Sequence, residues 1–300
     1  MSLRFRTLRT ARRSALAAAA LALSVALAPA VSAAPAAAAA PQAAEAGSGG
    51  TIPLGAGYMG VGYTGDGATF SPDTRQLRLD AEGAAAPLAT QLPGIDVSHY
   101  QGSINWASVK SAGIKFAYIK ATESTTYTDP QFSTNYTNAH TRQVIRGAYH
   151  FARPNLSGGA AQANYFVAHG GAWSKDNLTL PGMLDLEAGC YGLSTSAMRT
   201  WITDFYNTYK AKTTRDVVIY TSPSWWNTCT GNWGGMSAKS PLFVAHWTTA
   251  ASPSIPAGFP YWTFWQYSST GSVSGISGAV DRDRFSGTEA RLLALANNTP

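Results

Sequence analysis

Two carboxylates lie two residues apart in the apolar stretch of residues 181–189. Asp185 and Glu187 alternate with Leu184 and Leu186, and the stretch is bounded by Pro-Gly and by Gly, which is typical of a short buried strand. Because successive strand residues point to opposite faces, both acids are predicted to share one face, with Cβ atoms roughly 6–7 Å apart. Carboxylates this close resist ionising together, so the pair can supply a proton donor and an anion at one pH, as glycosidic bond cleavage requires. The stretch alone also fits two solvated acids at the end of a strand.

Strand-like and helix-like segments alternate through residues 91–300, the part of the chain that surrounds this acid pair. Strands are predicted at residues 94–98, 114–120, 144–151, 181–189, 216–221, 241–247, 261–267 and 279–281. Helices are predicted at residues 104–110, 129–142, 157–169, 195–212 and 289–296, the second with Asp129 as its N-cap. Seven or eight strands alternating with helices imply a parallel sheet closed into a barrel, and about 200 residues are fewer than the usual ~250. The predicted fold class is therefore α/β, an irregular TIM-like β/α barrel with some helices missing in its second half, between the fifth and eighth strands.

In such barrels the catalytic side chains lie at the carboxyl ends of the strands. Acids from the first, fourth and last predicted strands would converge there. Three separate acids are hard to explain by packing, which favours the catalytic interpretation of the pair. Aromatic rings at Tyr149, Phe151, Trp265 and Tyr267 suit the apolar faces of sugar rings. The candidates at the strand ends are Asp96, Lys120, Tyr149, Asp185, Glu187, Tyr220, His246, Gln266 and Asp281.

The charge and the two cysteines of residues 91–300 restrict the chemistry further. Seven Lys and eight Arg stand against eight Asp and three Glu. This positive excess is too small and too dispersed to predict nucleic-acid binding, although it would suit an anionic cell surface.

Cys190 and Cys229 are predicted to form a disulfide in an exported chain. Closing the loop between them would stabilise the fold by roughly 4 kcal/mol. Two thiols without nearby histidines lack metal-ligand spacing, so no metal is expected.

The chain begins with a basic head and an Ala/Leu-rich run, and small residues around Ala33 offer a cleavage site. Residues 1–33 are therefore predicted to be a secretory signal peptide, because the apolar run is too short to span a membrane. No later run approaches transmembrane length. The mature protein is expected to be secreted, extracellular and monomeric, with no membrane partner.

Residues 34–90 are rich in Ala, Gly, Pro and Thr and have little hydrophobic periodicity, which predicts a flexible linker or a propeptide. Residues 55–60, Gly-Ala-Gly-Tyr-Met-Gly, match the spacing of a dinucleotide-binding fingerprint. No strand precedes them, and Gly and Thr follow where a helix should begin, so we reject a nucleotide site. Residues 75–79 have the pattern of a short strand, which would suit a propeptide that packs on the enzyme before its removal.

Six short motifs follow one another in residues 91–300. They are GIDVSHYQG at residues 94–102, KATE at 120–123, GAYHF at 147–151, LDLE at 184–187, WQY at 265–267 and VD at 280–281. With these motifs the domain resembles the glycoside hydrolase family 25 lysozymes, the Chalaropsis-type N-acetylmuramidases, and especially their secreted actinobacterial members. The resemblance implies an irregular β/α barrel that cuts the β-1,4 bond from N-acetylmuramic acid to N-acetylglucosamine in bacterial peptidoglycan. It implies no cofactor, and it suggests that 6-O-acetylated muramic acid is accepted.

The resemblance also implies roles for individual residues. Glu187 is the general acid, as the second acid of the Asp-x-Glu motif, and Asp185 orients the substrate or stabilises the positive charge that develops at the sugar. Asp96 and Asp281 complete the carboxylate set, with Asp283 competing for the last position because it shares a face with Asp281. The substrate contacts carried over from the family are Tyr149, Tyr220, Trp265 and Gln266.

The close acid pair leaves the mechanism and two alternative functions open. A direct nucleophile, a water activated by a base and attack by the substrate's N-acetyl group are all compatible with it. Our hypothesis is the substrate-assisted route, because the two acids lie on one strand rather than flanking the bond. A chitinase-like hydrolase also ends a strand in Asp-x-Glu, but it expects a further Asp where this chain has Met183. A non-catalytic wall-binding protein would be indicated by loss of Glu187 or Asp185, and both are present.

Overall fold

A computed structural model describes residues 52–61 and 91–300. The predicted signal peptide and the strand pattern at 75–79 lie outside the described residues. The strands are β1 Gln91–Val97, β2 Phe116–Glu123, β3 Tyr127–Thr128, β4 Ile145–Phe151, β5 Met183–Asp185, β6 Val218–Thr221, β7 Leu242–Ala245, β8 Phe264–Gly271 and β9 Val280–Ser286. The α-helices are α1 Trp106–Ser111, α2 Phe132–Thr141, α3 Gly159–Phe166, α4 Thr195–Thr213, α5 Pro223–Thr230 and α6 Glu289–Asn297.

Eight of these strands close into a barrel. The sheet runs in the order β1-β9-β8-β7-β6-β5-β4-β2, β1 pairs with β2 to complete the circle, and β3 is a short hairpin strand on β2. The predicted irregular TIM-like barrel is confirmed. The prediction of a parallel sheet is wrong for the last barrel strand, because β9 is antiparallel to both β8 and β1. No helix separates β8 from β9 in the described chain, so a short connection reverses the direction of the strand.

The barrel strands alternate between two hydrophobic layers. Met183, Val218 and Phe264 belong to the cluster inside the barrel, whereas their neighbours Leu184 and Ile219 belong to the cluster between the sheet and the helices. The period-two alternation therefore assigns each strand residue either to the lumen or to the helix layer. The side chains that enter the mouth of the barrel are the inward-facing residues at the ends of these strands.

Several predicted boundaries change. Helix α2 begins at Phe132 and has Gln131 as its N-cap, while Asp129 instead accepts hydrogen bonds from the backbone N–H groups of Gln131 and His99. The strand of the acid pair ends at Asp185, earlier than predicted. A helix that was not predicted, α5, lies between β6 and β7, where Pro at its first turn and the side chain of Ser222 start it. The predicted shortage of helices therefore begins after α5.

The predicted disulfide is present. Cys190 and Cys229 are bonded, with Cα atoms 5.1 Å apart. The bond ties the loop after the acid pair to helix α5, so it restrains the segment that follows Glu187. Among the described residues, no helix has the length and apolar character needed to cross a membrane.

His150 on β4 is wholly buried, and its ring contacts Phe166 on α3 and Phe205 on α4. Its Nδ1 lies 2.7 Å from Thr122 Oγ1 and its Nε2 lies 2.9 Å from Gln162 Oε1. Burial lowers the pKa of His150 to about 4. As the pH falls from 7 to 4, the unfolded chain binds a proton at this position that the folded protein does not, so folding loses stability over that interval.

We expect the free energy of unfolding to fall more steeply between pH 7 and pH 4 in the parent than in His150→Gln, by about 3 kcal/mol at 1.36 kcal/mol per pKa unit. Denaturant unfolding at pH 7, 5.5 and 4 measures this difference. The matched control is His140→Gln, since the side chain of His140 is 43% exposed. Parallel pH dependences for the parent and His150→Gln would contradict the prediction.

Candidate active site

Acids from three strands meet at one end of the barrel. Asp96 lies next to the last residue of β1 and pairs directly with Asp281 on β9. Because β9 is antiparallel, its amino-terminal end lies beside the carboxyl ends of the parallel strands, and Asp281 reaches the mouth from there. Asp185 is the last residue of β5. The predicted convergence of Asp96, Asp185 and Asp281 is therefore present, although one of the strands runs in the opposite direction.

The two candidates for the last acid occupy different depths. Asp283 pairs with Gly94, two residues further from the carboxyl end of β1 than the partner of Asp281. Asp283 is fully buried, whereas Asp281 retains 7% exposure. Asp281 is thus the acid nearer the mouth, and Asp283 lies one layer below it.

The carboxyl groups of Asp96, Asp281 and Asp283 form a cluster that retains protons. Burial raises the pKa of Asp96 to about 7, opposed by a hydrogen bond from Gln266. Burial and then the charge of Asp96 raise the pKa of Asp281 and of Asp283 well above the ordinary carboxyl range. Three acids this close in an enclosed site do not all ionise at neutral pH.

Asp185 is fully buried, and neither carboxylate oxygen has a hydrogen-bond partner in the described chain. Burial raises its pKa well above the usual value, the charge of Glu187 adds to this, and Lys120 opposes it. A buried acceptor without a donor costs free energy. Both oxygens of Asp185 are therefore available to a donor that enters the mouth.

Glu187 lies two residues beyond the end of β5, so the prediction that it shares a strand with Asp185 is wrong. Successive side chains nevertheless keep alternating between the two faces beyond β5. Leu186 packs between the sheet and the helices, and its N–H donates to the carbonyl of Tyr220. The side chain of Glu187 is nearly buried. The backbone N–H of Gly60 donates to Oε1 and Oε2 of Glu187 at 3.0 and 3.1 Å.

Gln266 connects the aromatic and acidic sides of the mouth. Its Oε1 accepts from the Tyr220 hydroxyl at 2.8 Å and from Trp247 Nε1 at 3.0 Å. Because the oxygen takes both donors, its Nε2 faces Asp96 and donates to Oδ2 at 2.8 Å. The sequence placed Tyr220 and Gln266 at the site but missed Trp247. The signal available for Trp247 was its position directly after the predicted strand end at His246.

A buried ion cluster lies beside the acids. Glu123 accepts from Lys120 at 2.7 Å through one oxygen and from Arg153 Nε at 2.8 Å through the other. Burial works against the ionised form of Glu123, but Lys120 and Arg153 outweigh it and hold its pKa below the usual value. The sequence ranked Lys120 as a candidate and missed Glu123 and Arg153, although Glu123 closes the KATE motif. Within this cluster, the charge of Lys120 lowers the pKa of Asp185 and that of Glu123 raises it.

The remaining predicted contacts separate into two groups. Tyr149 points into the barrel, is fully buried, and its hydroxyl has no hydrogen-bond partner among the described residues. Trp265 faces the helix layer instead and donates from Nε1 to the carbonyl of His246 at 2.7 Å. The structure therefore brings Tyr149, Tyr220 and Gln266 to the lumen and leaves Trp265 on the opposite face of β8.

Comparison of the sequence with models of known protein families gives a match that agrees with this acid-lined barrel mouth. The model of the family "Glycosyl hydrolases family 25" matches residues 95–276. The chain belongs to glycosyl hydrolase family 25. This family 25 chain is 63% identical over 251 residues to Lysozyme M1 of Streptomyces globisporus, covering 82% of this chain and 83% of the relative. It is 48% identical over 200 residues to the N,O-diacetylmuramidase of Chalaropsis sp, covering 63% of this chain and 95% of the relative.

A solved structure matches the family 25 barrel of this chain. The crystal structure of the bacterial lysozyme from Streptomyces coelicolor has a TM-score of 0.68 and 67% sequence identity. The match covers 98% of that chain and 70% of this one. Nearly the whole of that crystallised chain therefore has a counterpart in this one. This chain is a glycoside hydrolase with the barrel that its motifs implied.

Proposed function

We propose that this glycoside hydrolase is a muramidase that cleaves the β-1,4 bond from N-acetylmuramic acid to N-acetylglucosamine in bacterial peptidoglycan. The observation that carries the proposal is the placement of Asp185 and Glu187 together at the mouth of the barrel, with both oxygens of Asp185 lacking a donor. The names of the relatives, a lysozyme and an N,O-diacetylmuramidase, support this substrate. The second name supports acceptance of 6-O-acetylated wall.

In this proposal Glu187 gives its proton to the glycosidic oxygen as the bond breaks. Asp185 accepts the N–H of the substrate's 2-acetamido group, and the acetamide oxygen attacks the anomeric carbon. The N–H that the substrate donates to Asp185 favours its ionised form, which has no donor among the described residues of the free site. The ionised carboxylate then stabilises the positive charge of the resulting cyclic oxazolinium. Water then opens the ring, and Glu187 takes the proton from that water, which restores the enzyme.

Other groups at the mouth hold the sugar in position for this reaction. Asp96, Asp281 and Gln266 offer acceptors and a donor to sugar hydroxyls, and Tyr149 offers an unpartnered hydroxyl. Tyr220 fixes the amide of Gln266. Trp265 is proposed to act indirectly, by its hydrogen bond to the backbone carbonyl of His246.

We also infer that residues 1–33 direct export and that the mature barrel acts as a monomer.

The function is tested by clearing of purified bacterial wall, followed by reduction and identification of the new reducing ends. Muramic acid at those ends is the expected result. N-acetylglucosamine there would redirect the assignment to a glucosaminidase. If the wall is bound but neither cleared nor cut, the chain is a wall-binding protein and the proposal fails.

The substrate-assisted route predicts the configuration of the first product. Two inversions at the anomeric carbon, first by the acetamide oxygen and then by water, give net retention, so the β-anomer should form first. Proton NMR during the first minutes of hydrolysis distinguishes it from the α-anomer, provided that mutarotation is slower than turnover. An α-anomer formed first would contradict both the acetamide route and a direct nucleophile.

A further inference from the structure

Residues 52–61 lie across the mouth of the barrel. The N–H of Gly60 occupies both oxygens of Glu187, as described above. A Cβ at Gly60 would lie 2.8 Å from Cζ2 of Trp247 and 3.4 Å from Oε1 of Gln266. This short segment therefore contacts the proposed general acid and the residue that orients Asp96 at the same time.

The ion cluster of Lys120, Glu123 and Arg153 binds the backbone of the same segment. Arg153 donates to the carbonyl of Pro53 at 2.7 Å, and Lys120 donates to the carbonyls of Gly55 and Gly57. Glu123 accepts from the N–H of Gly57 at 3.2 Å. Three buried charged side chains thus satisfy backbone groups of a chain that is not part of the barrel.

The side chains of Tyr58 and Met59 fill the entrance itself. Met59 is fully buried and belongs to the hydrophobic cluster inside the barrel that contains Tyr149 and Tyr220. The ring of Tyr58 contacts Tyr100 at a centroid distance of 5.1 Å. Burial raises the pKa of Tyr58 to about 12, and the charges of Asp281 and Glu187 add to the effect. The phenol of Tyr58 therefore lies among the acids.

The glycine spacing of residues 55–60 is explained by this fit. A Cβ at Gly57 would lie 2.6 Å from the ring of Phe151, and Gly60 combines its contact to Trp247 with a φ of +91°. A side chain at either position would force the backbone away from the groove. The match with Lysozyme M1 covers 82% of this chain, more than residues 91–300 make up, so it extends into the residues before the barrel.

We propose that residues 52–61 form an inhibitory segment that keeps the exported hydrolase inactive until the chain is cut between residues 61 and 91. The proposal rests on the proposed role of Glu187, because a carboxylate bonded to the Gly60 amide and shielded by Met59 meets no glycosidic oxygen. After the cut, the segment is no longer tethered, and dilution releases it from the groove. The class of reaction that activates the enzyme is peptide-bond hydrolysis by a protease.

Tethering sets the size of the effect. A segment that belongs to the same chain as its site acts at an effective concentration of about 1 mM, so a free-peptide Kd of about 0.1 mM inhibits the intact chain about tenfold. With a Kd between about 10 µM and 0.1 mM, cutting the tether in a solution of about 1 µM protein leaves the site almost wholly open. The expected activation is therefore at least about tenfold.

The test uses the exported chain, residues 34–300, with a recognition sequence for a specific protease introduced between residues 62 and 90. Initial rates on soluble peptidoglycan fragments are measured before and after the cut. We expect at least about a tenfold rise. Met59→Ala should be active before the cut, whereas Leu54→Ala, which changes a side chain that is 49% exposed in the same segment, should stay inhibited. Equal rates before and after the cut would overturn the proposal, and a higher rate in the uncut chain would make the segment part of the working site.

A binding measurement separates this proposal from the proposed function. A synthetic peptide of residues 52–61 is titrated into the purified barrel, with calorimetry and tryptophan fluorescence, to which Trp247 contributes, as readouts. Binding of the parent peptide, with at least about tenfold weaker binding of the Met59→Ala peptide, supports occupancy of the groove even if the barrel cuts no muramic acid bond. No binding at millimolar peptide, with unchanged rates on cutting, contradicts the inhibitory segment while leaving the muramidase assignment intact.

Discussion

Replacing Glu187 with Gln is expected to lower kcat for peptidoglycan hydrolysis by about 10²–10⁴-fold in the barrel freed of residues before 91. Glutamine keeps the size of the side chain and can occupy the same place, but it has no proton to give to the leaving oxygen. Initial rates on soluble glycan strands measure the loss. The matched control is Glu289→Gln on α6, which removes an exposed carboxylate 3.0 Å from Lys115 and should change the rate less than twofold.

The leaving group provides a second check on Glu187. An aryl glycoside with an acidic phenol needs little protonation, so Glu187→Gln should lose much less rate on the step that cleaves this substrate than on natural glycan. Equal losses on both substrates would indicate that Glu187 does not act as a general acid in bond cleavage. More than about a tenth of the parent rate remaining on glycan would place the proton donor elsewhere.

Replacing Asp185 with Asn is expected to lower kcat by about 10²–10³-fold while making the folded protein more stable at neutral pH. The activity falls because an amide cannot balance the positive charge of the oxazolinium. The stability rises because the parent buries a carboxylate that has no hydrogen-bond donor. Rates on glycan and denaturant unfolding at pH 8 and pH 4 measure the two effects.

The sign of the stability effect follows from the raised pKa of Asp185. The folded protein holds a proton on this carboxyl at a pH where the unfolded chain has lost it, so folding weakens as the pH rises from about 4 through the folded pKa. Asn removes that loss, so Asp185→Asn should raise the free energy of unfolding by a large amount at pH 8 and by a small amount at pH 4. Asp204→Asn, at an exposed position on α4, is the control and should be nearly neutral at both.

Loss of activity accompanied by loss of stability at pH 8 would contradict this account of Asp185. It would mean that the carboxylate stabilises the position of the segment that contains Glu187, rather than accepting a hydrogen bond from the substrate. Unchanged activity with increased stability would instead remove Asp185 from the mechanism and leave the acid of β5 as an unused buried charge.

Much of the fold could be predicted because its signals are local. The alternating pattern of residues 114–120, which includes the start of β2, and the long amphipathic pattern of α4 lie within single segments of the chain. The direction of β9 could not be predicted from such a pattern, since a strand reads the same in either direction. Its short connection to β8 allows the antiparallel arrangement, and pairing with both β8 and β1 fixes it.

The residues around the mouth divide in the same way. Trp265 and Gln266 were both predicted to contact substrate, but neighbours on a strand face opposite sides, so only one of them can enter the lumen. The sequence contained that restriction but did not say which of the two residues enters the lumen. The bonds of Gln266 to Asp96 and Tyr220 decide it, and these join residues that are 170 and 46 positions apart.

Residues 55–60 mark the limit of the sequence most clearly. Their own neighbours were enough to exclude a nucleotide site, because that motif requires a strand before it and a helix after it. What the glycines are for depends on Phe151 and Trp247, and on a carboxylate 127 residues away from Gly60. The sequence alone predicted the family, the barrel and which acids meet at its mouth, because these depend on short-range patterns and motifs. Only the tertiary structure shows that the segment before the barrel contacts Glu187. A contact between distant parts of the chain produces no periodic pattern in the sequence of either part.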